Sequence, residues 1–175
     1  MSFAFAPFLM LLPAVLLLCA AWSDLRARII DHWVVIAMAA TAPLYWWAMG
    51  LQLLPNIAWG QHPVLMLASL FDPASVMIVV ALAVVMFFVF AIFFAIGWMG
   101  GGDVKLLASL SLWLMPRELL MLLVVEALAG LVVTVLATVH HKVKAKPGPV
   151  EVPRGVAIAF AGLWVFVERY FNQFG

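Results

Sequence analysis

Charge is what this chain has least of. Only 10% of its 175 residues are Asp, Glu, Lys or Arg, against 68% hydrophobic, whereas soluble domains carry about 25% charged and 45–50% apolar residues. So few charges cannot cover a water-soluble globule, and most of the chain is expected to lie in lipid. Cysteine is almost missing too. Cys19 stands alone, which excludes an internal disulfide and zinc sites of the CxxC type; inside an apolar run it reads as an inert, buried thiol. The net charge is +1, with no basic arm and no interleaving of basic and aromatic residues, so no nucleic-acid partner is expected. The N-terminus lacks the short basic region and small-residue cleavage site of a removable signal, and its apolar stretch is expected to stay as a span. There is no internal repeat and no long polar loop, so residues 1–175 read as a single transmembrane domain.

What is present is hydrophobic run after hydrophobic run. A transmembrane helix needs about 20 mostly apolar residues, and six candidates stand out: Phe3–Trp22, His32–Met49, Ser75–Trp98, Val104–Met115, Leu119–Val139 and Gly155–Phe171. The expected fold is all-α, a polytopic integral membrane bundle of about six transmembrane helices. Pro63–Phe71 is apolar but short and is expected at an interface or as a re-entrant piece. Trp22, Trp33, Trp46, Trp47, Trp59, Trp98 and Trp113 fall near span ends or in loops, the placement of an aromatic belt. With six spans, Arg26, Arg28, Lys105, Lys142, Lys144, Lys146 and Arg154 share one side, and only Arg117 and Arg169 the other. The basic side is cytoplasmic by the positive-inside rule, and both termini face outward. Arg26, Arg28, Lys142, Lys144 and Lys146 are expected to meet anionic lipid head groups.

The fourth span is short. Val104–Met115 gives about 18 Å of helix against a hydrocarbon core of about 30 Å. If Pro116-Arg117-Glu118 marks its outer end, the glycine-rich turn Gly97–Gly102 dips below the cytoplasmic surface and sets Asp103 in a wet pocket, since irregular backbone at that depth survives only inside protein or beside water.

Ionisable side chains inside spans are costly and usually functional. Asp24 closes the first span and Asp103 opens the fourth, at the same face although 79 positions apart. Two carboxylates a few ångströms apart share a proton; one can act as general base on water while the other, protonated, polarises a carbonyl. That is aspartic peptidase chemistry, with no metal or cofactor. By position alone each acid also has a structural reading, Asp103 as a helix N-cap and Asp24 as an interfacial partner of Arg26 or Arg28. Glu126, inside the fifth span, reads as structural. Glu168-Arg169 and Arg117-Glu118 read as outer-surface pairs. His140 and His141 lack further ligands at metal-binding spacing.

The local sequences separate these readings. Gly100-Gly101-Gly102-Asp103-Val104-Lys105-Leu106 resembles the GxGD signature of type IV prepilin peptidases. Asp24-Leu25-Arg26-Ala27-Arg28-Ile29-Ile30 is similar to that family's other catalytic segment, and Val152-Pro153-Arg154-Gly155-Val156-Ala157-Ile158-Ala159 to its Pro-Tyr-Gly lead-in to the last span. Asp31-His32 stands where the family has Pro-Asn, and Arg154 where it has Tyr. Asp31 is thus a third carboxylate near the site, ranked below Asp24, which holds the motif position.

The resemblance implies a membrane-embedded aspartyl endopeptidase that removes the short basic leader from type IV pilin-like precursors at the cytoplasmic face of the bacterial inner membrane. It implies Asp24 and Asp103 as catalytic, Gly100, Gly101, Gly102 and Lys105 as the active-site turn and its support, and Pro153 and Gly155 as a possible substrate groove. Partners are prepilin precursors and membrane lipid; no oligomeric state is implied. The loop Ser23–Asp31 has no room for the paired-CxxC domain linked to methylation, so the chain is similar to the compact form of tight-adherence (Flp) pilus systems, without methyltransferase activity. Two other readings carry different predictions. A small transporter or channel subunit would place acids near the midplane of a repeated structure, and a non-catalytic pilus-assembly protein would bind precursors without cleaving them.

Overall fold

A computed structural model describes residues 6–54, 75–144 and 152–174. Six helices account for nearly all of them: α1 (Ala6–Ala27), α2 (His32–Ala48), α3 (Val76–Ala95), α4 (Gly101–Ser111), α5 (Pro116–Val143) and α6 (Arg154–Phe174). No strand occurs among the described residues, only a single bridge between Gln52 and Ser75. The expected all-α bundle is the observed one, with one helix at each expected position. The expected interfacial segment Pro63–Phe71, together with Trp59 and Lys146, lies outside the described residues.

Boundaries moved where local chemistry overrode hydropathy. α1 runs through Asp24 to Ala27, so Asp24 lies within the last helical turn rather than just beyond it. α3 begins after Ser75, whose hydroxyl accepts the Ile78 N–H at 3.3 Å, an N-cap. α4 starts at Gly101, earlier than hydropathy indicated, because Gly101 and Gly102 adopt helical backbone; the sharp turn is made at Gly97, with φ +77°. The N-cap is therefore Gly100, and Asp103 is the third helical residue, not the cap. α5 opens with Pro116 in its first turn, where a missing N–H is harmless.

Three stretches, Phe8–Ala27, Val76–Ala95 and Pro116–Val143, are long and apolar enough to cross a membrane. Their surfaces support that reading. α3 turns Val84, Val85, Phe88 and Ile92 outward, and α5 does the same with Leu120, Val124, Leu128 and Leu131. Apolar faces of this extent are stable against lipid and would aggregate in water. α4 is the opposite case. Val104, Leu106, Leu107 and Leu110 are all buried, because this short helix stands at the centre, packed by α2, α3 and α6.

α1 and α6 are antiparallel and close. A side chain at Gly162 would meet Leu17 Cδ1 at 2.6 Å and Leu110 Cδ2 at 3.0 Å, so glycine lets α1, α4 and α6 converge. α2 is fastened to the end of α4 by two indoles. Trp113 Nε1 donates to the Met38 carbonyl at 2.9 Å and Trp46 Nε1 to the Leu112 carbonyl at 2.7 Å. Trp113 is fully buried and Trp46 is tied into the bundle, which corrects their assignment to an aromatic belt; the Trp113 N–H found a carbonyl within α2, and the Trp46 N–H one at the end of α4. Trp22, Trp33, Trp47 and Trp98 are exposed.

A second correction concerns the expected surface pairs. Arg169, only 4% exposed, forms a two-pronged ion pair with Glu118. It also donates to the Tyr45 hydroxyl at 2.8 Å and the Trp113 carbonyl at 2.9 Å, and its guanidinium lies over the Tyr45 ring. Glu118 in turn accepts the Met115 N–H at 2.7 Å. One buried cation thus joins α2, α5, α6 and the turn after α4, at the end of the bundle opposite Asp24 and Asp103. Sequence neighbours such as Glu168 and Arg169 point about 100° apart on a helix, and the partner was 51 positions away.

Candidate active site

The end of the bundle where α1 stops and α4 and α6 start collects the acids. Asp24 is 6% exposed and Asp103 9%, a degree of burial that carboxylates rarely reach without a partner. α1 ends just before Arg28, which takes a left-handed φ of 57° while its N–H closes on the Asp24 carbonyl at 2.9 Å. Asp24 faces the start of α6, where the backbone N–H groups of Gly155 and Val156 act on its carboxylate. Unpaired N–H groups of a first helical turn favour negative charge. Even so, Asp24 Oδ2 is buried with no hydrogen-bond partner among the described residues. A buried polar atom left unsatisfied carries a desolvation penalty.

The three motif glycines each answer to a different neighbour. A Cβ on Gly100 would stand 3.1 Å from Asp103 Oδ2; on Gly101, 3.3 Å from the Phe94 ring of α3; on Gly102, 3.2 Å from Ile30 Cβ. Ile30, buried in the α1–α2 turn, therefore docks onto the start of α4. This contact brings the Asp24 segment and the Asp103 segment to one place.

Electrostatics ties the cluster together. Asp103 is acted on by the charges of Asp24, Arg154 and Glu126, Glu126 by that of Arg154, and Asp24 by that of Arg28. The four groups on or beside Asp103 come from α1, α4, α5 and α6. Next to them lies a cavity of about 500 Å³, lined by Phe90, Phe93, Trp98, Met99, Glu126 and Arg154 among others; Phe93 and Trp98 stack in its wall with ring centroids 5.9 Å apart.

The profile of the type IV leader peptidase family matches residues 10–135, a stretch that takes in Asp24, the glycine turn, Asp103 and Glu126. The chain belongs to this family. No curated protein and no solved structure matches it. Membership makes the chain a peptidase-family member with leader-bearing precursors as its general substrate class, and its three long apolar helices make it a membrane one.

Within this leader peptidase the other expected residues fall as follows. Pro153 and Gly155 flank Arg154 at the start of α6, and Gly155 touches Asp24. Lys105 is exposed and lines a separate apolar groove between α2, α3 and α4, on the far side of α4 from Asp103. Asp31 and His32 are exposed at the start of α2, and Asp31 caps it without a side-chain hydrogen bond. No cluster of three His, Cys, Asp or Glu residues able to hold a metal occurs among the described residues. Sequence reasoning did not bring Glu126 to this site; its one signal was a lone carboxylate in an otherwise apolar span.

Proposed function

We propose that the chain is an aspartyl endopeptidase that removes the short basic leader of type IV pilin-like precursors at the cytoplasmic face of the bacterial inner membrane. The observation that carries this reading is the pair of buried carboxylates, Asp24 and Asp103, brought by α1 and α4 to one end of the bundle, where the charge of Asp24 acts on Asp103. One carboxylate takes a proton from a water molecule as that water attacks the scissile carbonyl. The other, protonated, donates a hydrogen bond to the carbonyl oxygen and stabilises the tetrahedral intermediate. When the C–N bond breaks, the departing amine takes up a proton and the pair returns to sharing one. The roles belong to the pair, which titrates as a unit.

The unpartnered Oδ2 of Asp24 supports this reading, since an acid waiting for water or substrate must keep a lone pair free. Position supports it over a transporter, whose acids belong near the midplane. The seven basic residues that the six-span reading assigns to this side favour the cytoplasmic orientation, and their charge favours contact with anionic lipid over contact with a basic leader.

The test is single Asp24→Asn and Asp103→Asn substitution, with conversion of precursor to mature pilin followed by gel shift. Each variant is expected to lose about a hundredfold or more, the scale of a missing general acid or base, while keeping wild-type melting behaviour. Full processing by either variant would remove the acid pair from the mechanism, and precursor binding without cleavage by the wild type would instead favour a non-catalytic assembly role.

A further inference from the structure

Glu126 lies ten residues inside α5, nearly three helical turns from its start, where a carboxylate is expensive unless it has a partner. Its side chain lines the cavity beside the acid end of the bundle, and Glu126 Oε1 is 3.7 Å from the Cβ position of Gly130, one turn further on. Arg154 faces the same cavity from the first residue of α6, and the residue after it, Gly155, abuts Asp24 with its Cβ position 3.0 Å from the carboxylate. Arg154 also stands where the family resemblance places a neutral tyrosine.

We propose that Glu126 and Arg154 form a charge-compensating couple that positions the electrostatics of the acid pair, Glu126 offsetting the cation that this chain carries beside Asp103. The inference rests on the aspartyl peptidase reading of the same site. An uncompensated arginine beside Asp103 would favour its ionised form and work against the proton that the pair must share. Glu126 returns a negative charge to the same cavity and offsets part of the effect of the cation on Asp103. The charged groups that act on Asp103 are Asp24 from α1, Glu126 from α5 and Arg154 from α6. α3 offers only aromatic and apolar side chains there, and α2 contributes no acting charge. Glu126 and Arg154 are positioning residues that work through Asp24 and Asp103.

Two readouts test the couple in the full chain, reconstituted in phosphatidylethanolamine/phosphatidylglycerol vesicles. One is the pH profile for processing of a precursor with a lysine-rich leader before an apolar helix. The other is infrared titration of the Asp103 carboxyl band, assigned by its loss in Asp103→Asn, which needs no turnover. Arg154→Gln should move both to higher pH and Glu126→Gln both to lower pH, each by about one pH unit, the scale of one charge acting across a partly wet cavity. The double variant should return close to wild type, and Arg154→Lys should stay there. Singles that lower folded yield without moving the band, or a double variant shifted further than either single, would overturn the couple. Should the aspartyl reading fail, Asp24→Asn would still process precursor, while the infrared titration would still decide whether the couple exists.

Discussion

Gly155 and Asp24 meet with no room between them: a Cβ at position 155 would lie 3.0 Å from the Cβ, Cγ and Oδ2 of the aspartate. The last turn of α1 and the first turn of α6 are thus fitted around an acid whose placement depends on the absence of one methyl group. The register of the two helices and the aim of Asp24 are set by the same contact.

Gly155→Ala is therefore expected to displace the Asp24 carboxylate and lower processing by about tenfold to a hundredfold, the range that follows from ångström-scale misplacement of a reacting group. Gly162→Ala, seven residues on, meets only leucine methyls, Leu17 Cδ1 and Leu110 Cδ2. It should lower stability by about 1–3 kcal/mol through overpacking and leave the activity of the folded protein nearly intact. Thermal melting and initial rates measured side by side separate the two; equal effects on both variants would show that Gly155 is only a packing position.

Gly102→Ala presses on Ile30 Cβ, a branched and buried atom that cannot rotate away. The α1–α2 turn would have to shift relative to α4, moving the Asp24 segment from the Asp103 segment. A loss of processing of about tenfold is expected; Ile30→Gly in the same chain, which removes the opposing atom, should recover part of it. Failure of the second change to recover any activity would place the importance of Gly102 elsewhere.

Arg169 predicts a stability effect remote from chemistry. Arg169→Met leaves Glu118 half of its ion pair and frees Tyr45 and the Trp113 carbonyl of their donor. Removing one partner of a buried pair destabilises by about 3–5 kcal/mol. Arg169→Lys should recover little of this, because an ammonium cannot reproduce the two-pronged geometry. The measurement is detergent-resistant folded fraction against temperature, with Asp24→Asn as a variant expected to melt like wild type.

Asp31 supplies the control for the third carboxylate. It is exposed and makes no side-chain cap hydrogen bond, so Asp31→Asn should process precursor within about twofold of wild type, as surface substitutions away from special features have small effects. A loss as deep as that of Asp24→Asn would move the catalytic role along the chain.

Hydropathy and spacing alone were enough for the helical bundle, the helices of the described residues and the shared side of Asp24 and Asp103, because a bilayer forces each long apolar run into a helix and loop connectivity then dictates which ends coincide. The glycine-rich approach to Asp103 was equally legible. Tertiary contacts decided the rest. Arg169 found Glu118 51 positions away, Trp113 turned inward to the Met38 carbonyl, and Glu126 came to line one cavity with Arg154. Those outcomes depend on which face each helix turns toward its neighbours. Helices whose surfaces are apolar all round carry no stripe from which that rotation can be read. It is fixed instead by where small residues such as Gly155 and Gly162 let backbones approach, and by which buried polar groups can reach one another.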